Sequence, residues 1–262
     1  MPHDISYRPH ANTQTHYVLG MRLDYLDWPQ AIEQVINAAQ MGQSAYCCIP
    51  DVNQCVLSHD QPSHREIVND AMLVMSDSTV LQRVRALLYG VRPVVTIKGA
   101  DMMSELCRRA ASDGIPIALV GGKNEKVLRQ LTDALSSRFP AIDITLAYSP
   151  PFRPMTEVED SELVNRINSS GAKLVFVGLG CPKQERWMAL HKGRVQAMMI
   201  GVGAAFDFLS GAVKPSPSWV HEAGLEWLYR LLREPRRLWK RYLGVAPRFL
   251  WLLLVRSVRA TH

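Results

Sequence analysis

Residues 173–185 read KLVFVGLGCPKQE: an apolar run, then a turn holding Gly178 and Gly180, then a polar set that opens a helix. A short, bounded run of Leu, Val and Phe predicts a strand buried on both sides, and the glycine turn after it predicts a βα unit. The same order recurs at 119–125, LVGGKNE, where apolar residues from 115 run into Gly121 and Gly122 and a helix over 124–139 follows. Further apolar runs at 45–50, 71–75, 142–146 and 197–202, and a shorter one near 35 (VINAA), read as strands, with a helix over 100–112 between two of them. Strands alternating with helices predict an α/β domain with a mostly parallel, Rossmann-like sheet. In such sheets ligands bind in the crevice beyond the carboxyl ends of the strands.

With 262 residues, 47% of them hydrophobic, the chain is long enough for one sizeable core and an appendage. Its five cysteines form neither an even disulfide set nor a CxxC pair, which points to reduced, mostly buried thiols. The polar start MPHDISYRPHANTQTHY lacks the basic and apolar regions of an export signal, so a cytoplasmic location is expected. The longest apolar run, Phe249 to Val255, is far short of the roughly 20 residues that cross a bilayer. YSPPFRP at 148–154 is a proline-rich connection, and KPSPS at 214–218 marks where the strand pattern stops. The expected division is therefore an α/β core over 1–211 and a helical, basic appendage over 212–262.

Charge is concentrated in that appendage. From Leu228 onward nine Lys and Arg face one acid, Glu234, which is +8 against a chain total of +6 and leaves −2 for the residues before it. Arg230, Arg233, Arg237 and Arg241 recur every three or four residues beside Trp227, Leu231, Leu238, Trp239 and Tyr242. This is the composition of a helix lying on an anionic membrane. The abundant Leu and Trp argue against nucleic acid as the partner, although basic side chains neutralise phosphates of any origin.

Several residues have both a chemical and a plain structural account. Gly121, Gly122, Gly178 and Gly180 either let backbone amides approach a phosphate at a helix start or serve close packing. Lys183, Gln184 and Glu185 place three polar functions on one helical turn, as a site or as a solvated surface. Asp77, after a buried-looking strand, is placed for a general base or for an N-cap. Asp207, in GVGAAFDF, suits ribose and base groups or a structural ion pair.

Together VGLGCPKQERWM (177–188), GVGAAFDFLSG (201–211) and GLEWLYRLLREPRR (224–237) resemble the WecG/TagA/CpsF glycosyltransferase family. The resemblance implies a metal-independent, cofactor-free, inverting transfer of N-acetylmannosamine, glucose or a related hexose from a UDP-sugar to a polyprenyl-diphosphate-linked acceptor. That is a step of bacterial surface polysaccharide assembly at the inner face of the cell membrane. It further implies Asp77 as base, Gln184 near the donor, Asp207 facing the nucleotide and Arg230 and Arg237 closing over the diphosphates. Gly121, Gly122, Gly178, Gly180, Lys183 and Glu185 fall on the donor side, and Asp51, Asn53 and Thr96 on the acceptor side. The chain departs from the family pattern at Ile49-Pro50-Asp51 for Thr-x-Asn, at Ser78 for glycine, and at Thr96 and Pro215 for arginines. These departures raise the alternative of a non-catalytic membrane-associated partner. A dinucleotide-dependent oxidoreductase fits poorly, because no GxGxxG follows the first strand. An exposed apolar tail also predicts homo-oligomers when no membrane is present.

Overall fold

The computed structural model describes residues 14–213 and 244–260, with side chains as far as 255 in the last helix. A hairpin of β1 (Gln14–Val18) and β2 (Met21–Tyr25) comes first. The main sheet holds β3 (Ala45–Cys48), β4 (Leu73–Val74), β5 (Ile117–Gly121), β6 (Ile144–Tyr148), β7 (Leu174–Gly178) and β8 (Met198–Gly201). Its spatial order is β4-β3-β8-β7-β5-β6, and every pairing is parallel. Parallel neighbours need crossovers, and helices supply them.

The helices are α1 (Trp28–Gln40), α2 (Val52–Asp60), α3 (Pro62–Asn69), α4 (Thr79–Tyr89), α5 (Gly99–Asp113), α6 (Glu125–Arg138), α7 (Glu157–Ser169), α8 (Lys183–His191), α9 (Ala205–Leu209) and α10 (Ala246–Ala260). Successive strand residues point to opposite faces, so the sheet feeds two cores. Cys47, Leu119, Phe176 and Ile200 face α1, α5, α6 and α9. Tyr46, Cys48, Val120, Val177 and Met199 face the hairpin, α2, α3, α7, α8 and α10. The result is a three-layer α/β/α domain, the Rossmann-like architecture expected.

One expected element is corrected. VINAA near 35 is not a strand but part of α1, whose start carries a capping box between Asp27 and Gln30 with Pro29 inside the first turn. The buried positions Ala31, Ile32, Val35, Ile36, Ala38 and Ala39 follow the helical period, which a five-residue window cannot show. The helix over 100–112 is α5, and Asn124 caps α6 by accepting from the Val127 N–H.

Candidate functional site

Because the sheet is wholly parallel, the turns after β3, β4, β5, β7 and β8 share one edge. The chain leaves β8 for α9 on one face, while β3 and β7, on either side of it, lead to α2 and α8 on the other. Diverging connections of this kind open the crevice in which open α/β sheets hold ligands.

The turns after β3 and β4 carry the acids. Asp51 caps α2, its Oδ1 accepting from the Gln54 N–H at 2.9 Å, and Asn53 is half-buried in the first turn. Asp77 is exposed, and its N–H donates to the Pro50 carbonyl at 3.0 Å, which ties the two turns together. The capping account of Asp77 does not apply: the cap of α4 is Ser78, whose hydroxyl accepts from the Leu81 N–H. The Thr96 hydroxyl lies 3.3 Å from that of Thr79, and the Ile97 N–H donates to the Ser76 carbonyl at 2.9 Å. Gly99 then passes so close to β8 that an added Cβ would lie 2.9 Å from the Val202 carbonyl oxygen. The 96–99 segment thus spans the ends of β4 and β8 and brings Lys98 to the edge, a residue the sequence did not mark.

The glycine turns are packed. A Cβ on Gly121 would lie 2.6 Å from the Gly178 backbone, and one on Gly178 would lie 2.8 Å from the Phe206 ring. The Gly122 N–H donates to the Gly178 carbonyl at 3.2 Å, so that amide is already committed within the protein. Gly180 sits at φ 76° with open space beside it, and its carbonyl accepts from the Gln184 N–H at 2.9 Å. The Cys181–Pro182 bond that follows is cis. Across the edge the Lys123 ammonium meets the mostly buried Asp207 carboxylate at 3.0 Å, so Asp207 does make an ion pair.

The polar set that opens α8 divides. Lys183 is exposed, whereas Gln184 is 4% and Glu185 0% accessible, which removes the solvated-surface account for those two. Glu185 Oε1 accepts from Gln184 Nε2 at 2.8 Å and from Gln54 Nε2 at 3.2 Å. Burial pushes the Glu185 carboxyl above the usual range, against the hydrogen bonds from Gln184, Gln54 and Cys181 that pull it down. Cys181, unlike the other four cysteines, is exposed, and desolvation of its thiol and the neighbouring Glu185 raise its pKa.

Among the described residues no group of three or more His, Cys, Asp and Glu is arranged to hold a metal ion. Arg230 and Arg237 lie outside the described residues. The last helix, α10, docks on the core through Phe249 and Leu252 and through a 2.6 Å ion pair from Arg248 to Asp60, leaving Leu250, Trp251 and Leu254 exposed. Among the described residues no helix is long and apolar enough to cross a membrane. In comparison with known families, the model of the glycosyl transferase WecG/TagA/CpsF family matches residues 16–262.

Proposed function

The chain belongs to the WecG/TagA/CpsF family of glycosyl transferases, and on that premise we propose that it moves a hexose from a UDP-sugar to a polyprenyl-diphosphate-linked acceptor in bacterial surface polysaccharide assembly. The observation that carries this reading is the single sheet edge that joins an exposed carboxylate, Asp77, to the Lys123–Asp207 pair and the buried Gln184.

In the proposed step an acceptor hydroxyl oxygen attacks the anomeric carbon from the face opposite UDP. The bond from that carbon to the UDP phosphate oxygen breaks, configuration inverts, and the hydroxyl proton passes to the Asp77 carboxylate. The departing diphosphate gains negative charge, which favours cationic and N–H donors around it. On the donor side these are Lys123, released from Asp207, and the open Gly180 turn; Gly121 and Gly178 serve by letting the turns approach. Asp51, Asn53 and Thr96 line the acceptor side. Arg230 and Arg237, in the basic segment, complete the clamp on the diphosphates, since guanidinium matches phosphate in bidentate fashion.

The exposed Leu250, Trp251 and Leu254 of α10 and the basic run before it favour an anionic membrane surface, which is where a polyprenyl acceptor resides. Residues 212–262 act in this reading as the membrane-facing appendage of the core.

The test is transfer of labelled hexose from UDP-glucose, UDP-N-acetylglucosamine and UDP-N-acetylmannosamine to a short polyprenyl-diphosphate-linked sugar. Turnover by the wild type and none by Asp77→Asn is the expected result. Asp51 and Ser78 both serve as helix caps where the family pattern differs, and this favours the second reading, a non-catalytic binding partner, if UDP binds and no donor turns over.

A further inference from the structure

Glu185 takes no part in the proposed step: it is fully buried, and its Oε1 is already occupied by two side-chain amides. Its hydrogen bonds show what it does instead. One oxygen, Oε1, receives the side-chain N–H groups of both Gln184, its neighbour on α8, and Gln54 of α2, which stands 131 positions from Glu185 in sequence. Accepting from both nitrogens settles which end of each amide faces inward, so both amide oxygens face elsewhere.

The Gln184 oxygen then becomes the feature of interest. It is buried and has no partner within the protein. The amide lies on a floor of glycine: a Cβ at Gly201 would stand 2.9 Å from Gln184 Nε2, whereas one at Gly203 would have Gln184 Oε1 as its nearest neighbour at 3.6 Å. The nitrogen is thus over the last residue of β8, and the oxygen lies toward Gly203, in the turn that leads to Asp207. A buried acceptor with no donor is uncommon in folded proteins and calls for a partner from outside the chain; Gln54 Oε1 and Glu185 Oε2 share that state, but only the Gln184 oxygen lies toward the turn that carries Asp207.

We propose that Glu185 is a positioning residue: its carboxyl clamps the Gln184 and Gln54 amides so that the Gln184 carbonyl oxygen is held at the end of β8 to accept a hydroxyl of the nucleotide-sugar donor. This rests on the transferase reading, and it replaces direct donor contact by Glu185 with action through Gln184. The Gln54 arm ties the donor turn to the helix capped by Asp51, so one carboxyl holds the two halves of the edge in register.

A double-mutant cycle read by titration calorimetry with UDP-glucose, UDP-N-acetylglucosamine and UDP-N-acetylmannosamine tests it. Gln184→Ala is expected to weaken the best-bound donor about tenfold, the loss of one ligand hydrogen bond. Glu185→Leu is expected to match it, the double variant to lose no more than either, and Glu185→Gln, which keeps an acceptor oxygen, to recover most of the affinity. Losses that multiply in the double variant, or donor binding unchanged in Glu185→Leu, overturn the positioning role. Should Glu185→Leu fail to fold, exchange of the Gln184 side-chain amide protons in the wild type decides: slow exchange is expected, and exchange at the free-glutamine rate overturns the clamp. A wild type that binds none of the donors overturns the transferase reading and this role with it, whereas binding with a multiplicative cycle overturns this role alone.

Discussion

The two halves of the sheet's carboxyl edge are built on opposite plans. Around β5, β7 and β8 the polar groups are spent on one another: Glu185 on Gln184 and Gln54, Lys123 on Asp207, and the Gly122 amide on Gly178. Around β3 and β4 the acids sit on turns, with Asp77 exposed and Asp51 partly so. Polar groups tied to one another across separate turns hold a fixed shape, which suits recognition of an invariant nucleotide, and the Gln184 oxygen is left over for a ligand. An exposed carboxylate on a turn is open to an incoming hydroxyl. In the proposed function the first half holds the donor and the second acts on the acceptor.

The largest effect is expected from the exposed half. Asp77→Asn should lower kcat about 10²- to 10⁴-fold, the usual share of a general base. Its melting temperature should barely move, because Ser78 rather than Asp77 caps α4. Steady-state kinetics beside a thermal scan check both, and a variant that loses stability and activity together would erase the contrast.

In the packed half the effect should fall on stability. Gly121→Ala puts a Cβ 2.6 Å from the Gly178 backbone at φ 138°, where neither partner is a flexible side chain. A loss of about 3 kcal/mol in denaturant unfolding is expected, the sum of backbone strain and overpacking. Gly180→Ala meets no atom within 4 Å, and only its φ of 76° counts against it; about 1 kcal/mol is expected there.

Acid should weaken the same half through α3, which packs on α8. His64 is buried without a partner on either nitrogen, and burial, then the nearby Arg186, lowers its pKa to about 4. Its folded value lies below its unfolded one, so the unfolded chain takes the proton first. Stability is therefore complete above about pH 6.5 and declines as pH falls toward 4, by at most about 3 kcal/mol. His64→Leu should flatten that part of the stability profile, and an unchanged slope would assign the acid loss to other groups.

The smallest effect belongs to the ion pair at the mouth. With Lys123 half-exposed, Lys123→Ala should cost well under about 1 kcal/mol of stability. Donor affinity should nonetheless fall severalfold, which calorimetry reads directly.

The parallel sheet and its carboxyl edge were legible in the sequence because strands buried on both faces leave short apolar runs, and the turns after them leave glycines. Asp77, Gln184 and Asp207 stood out for the same reason, each following such a run. VINAA near 35 misled because five apolar or small residues fit a strand as well as the buried side of α1, and the evidence against it, the Asp27–Gln30 box, lies outside the run. Gln54, Lys98 and Lys123 went unmarked because only the fold gives them partners: Gln54 meets Glu185 from a distant helix, and Lys123 meets Asp207 across the edge. The hairpin carries ordinary mixed sequence and becomes visible through what it covers, whereas α10 holds the apolar run from Phe249 to Val255.

The division of labour along the edge is tested most directly by calorimetric titration of UDP into the wild type, Asp77→Asn and Asp207→Ala. The account predicts wild-type affinity in Asp77→Asn and at least about a tenfold loss in Asp207→Ala. Equal losses in both variants, or full affinity in Asp207→Ala, would contradict it.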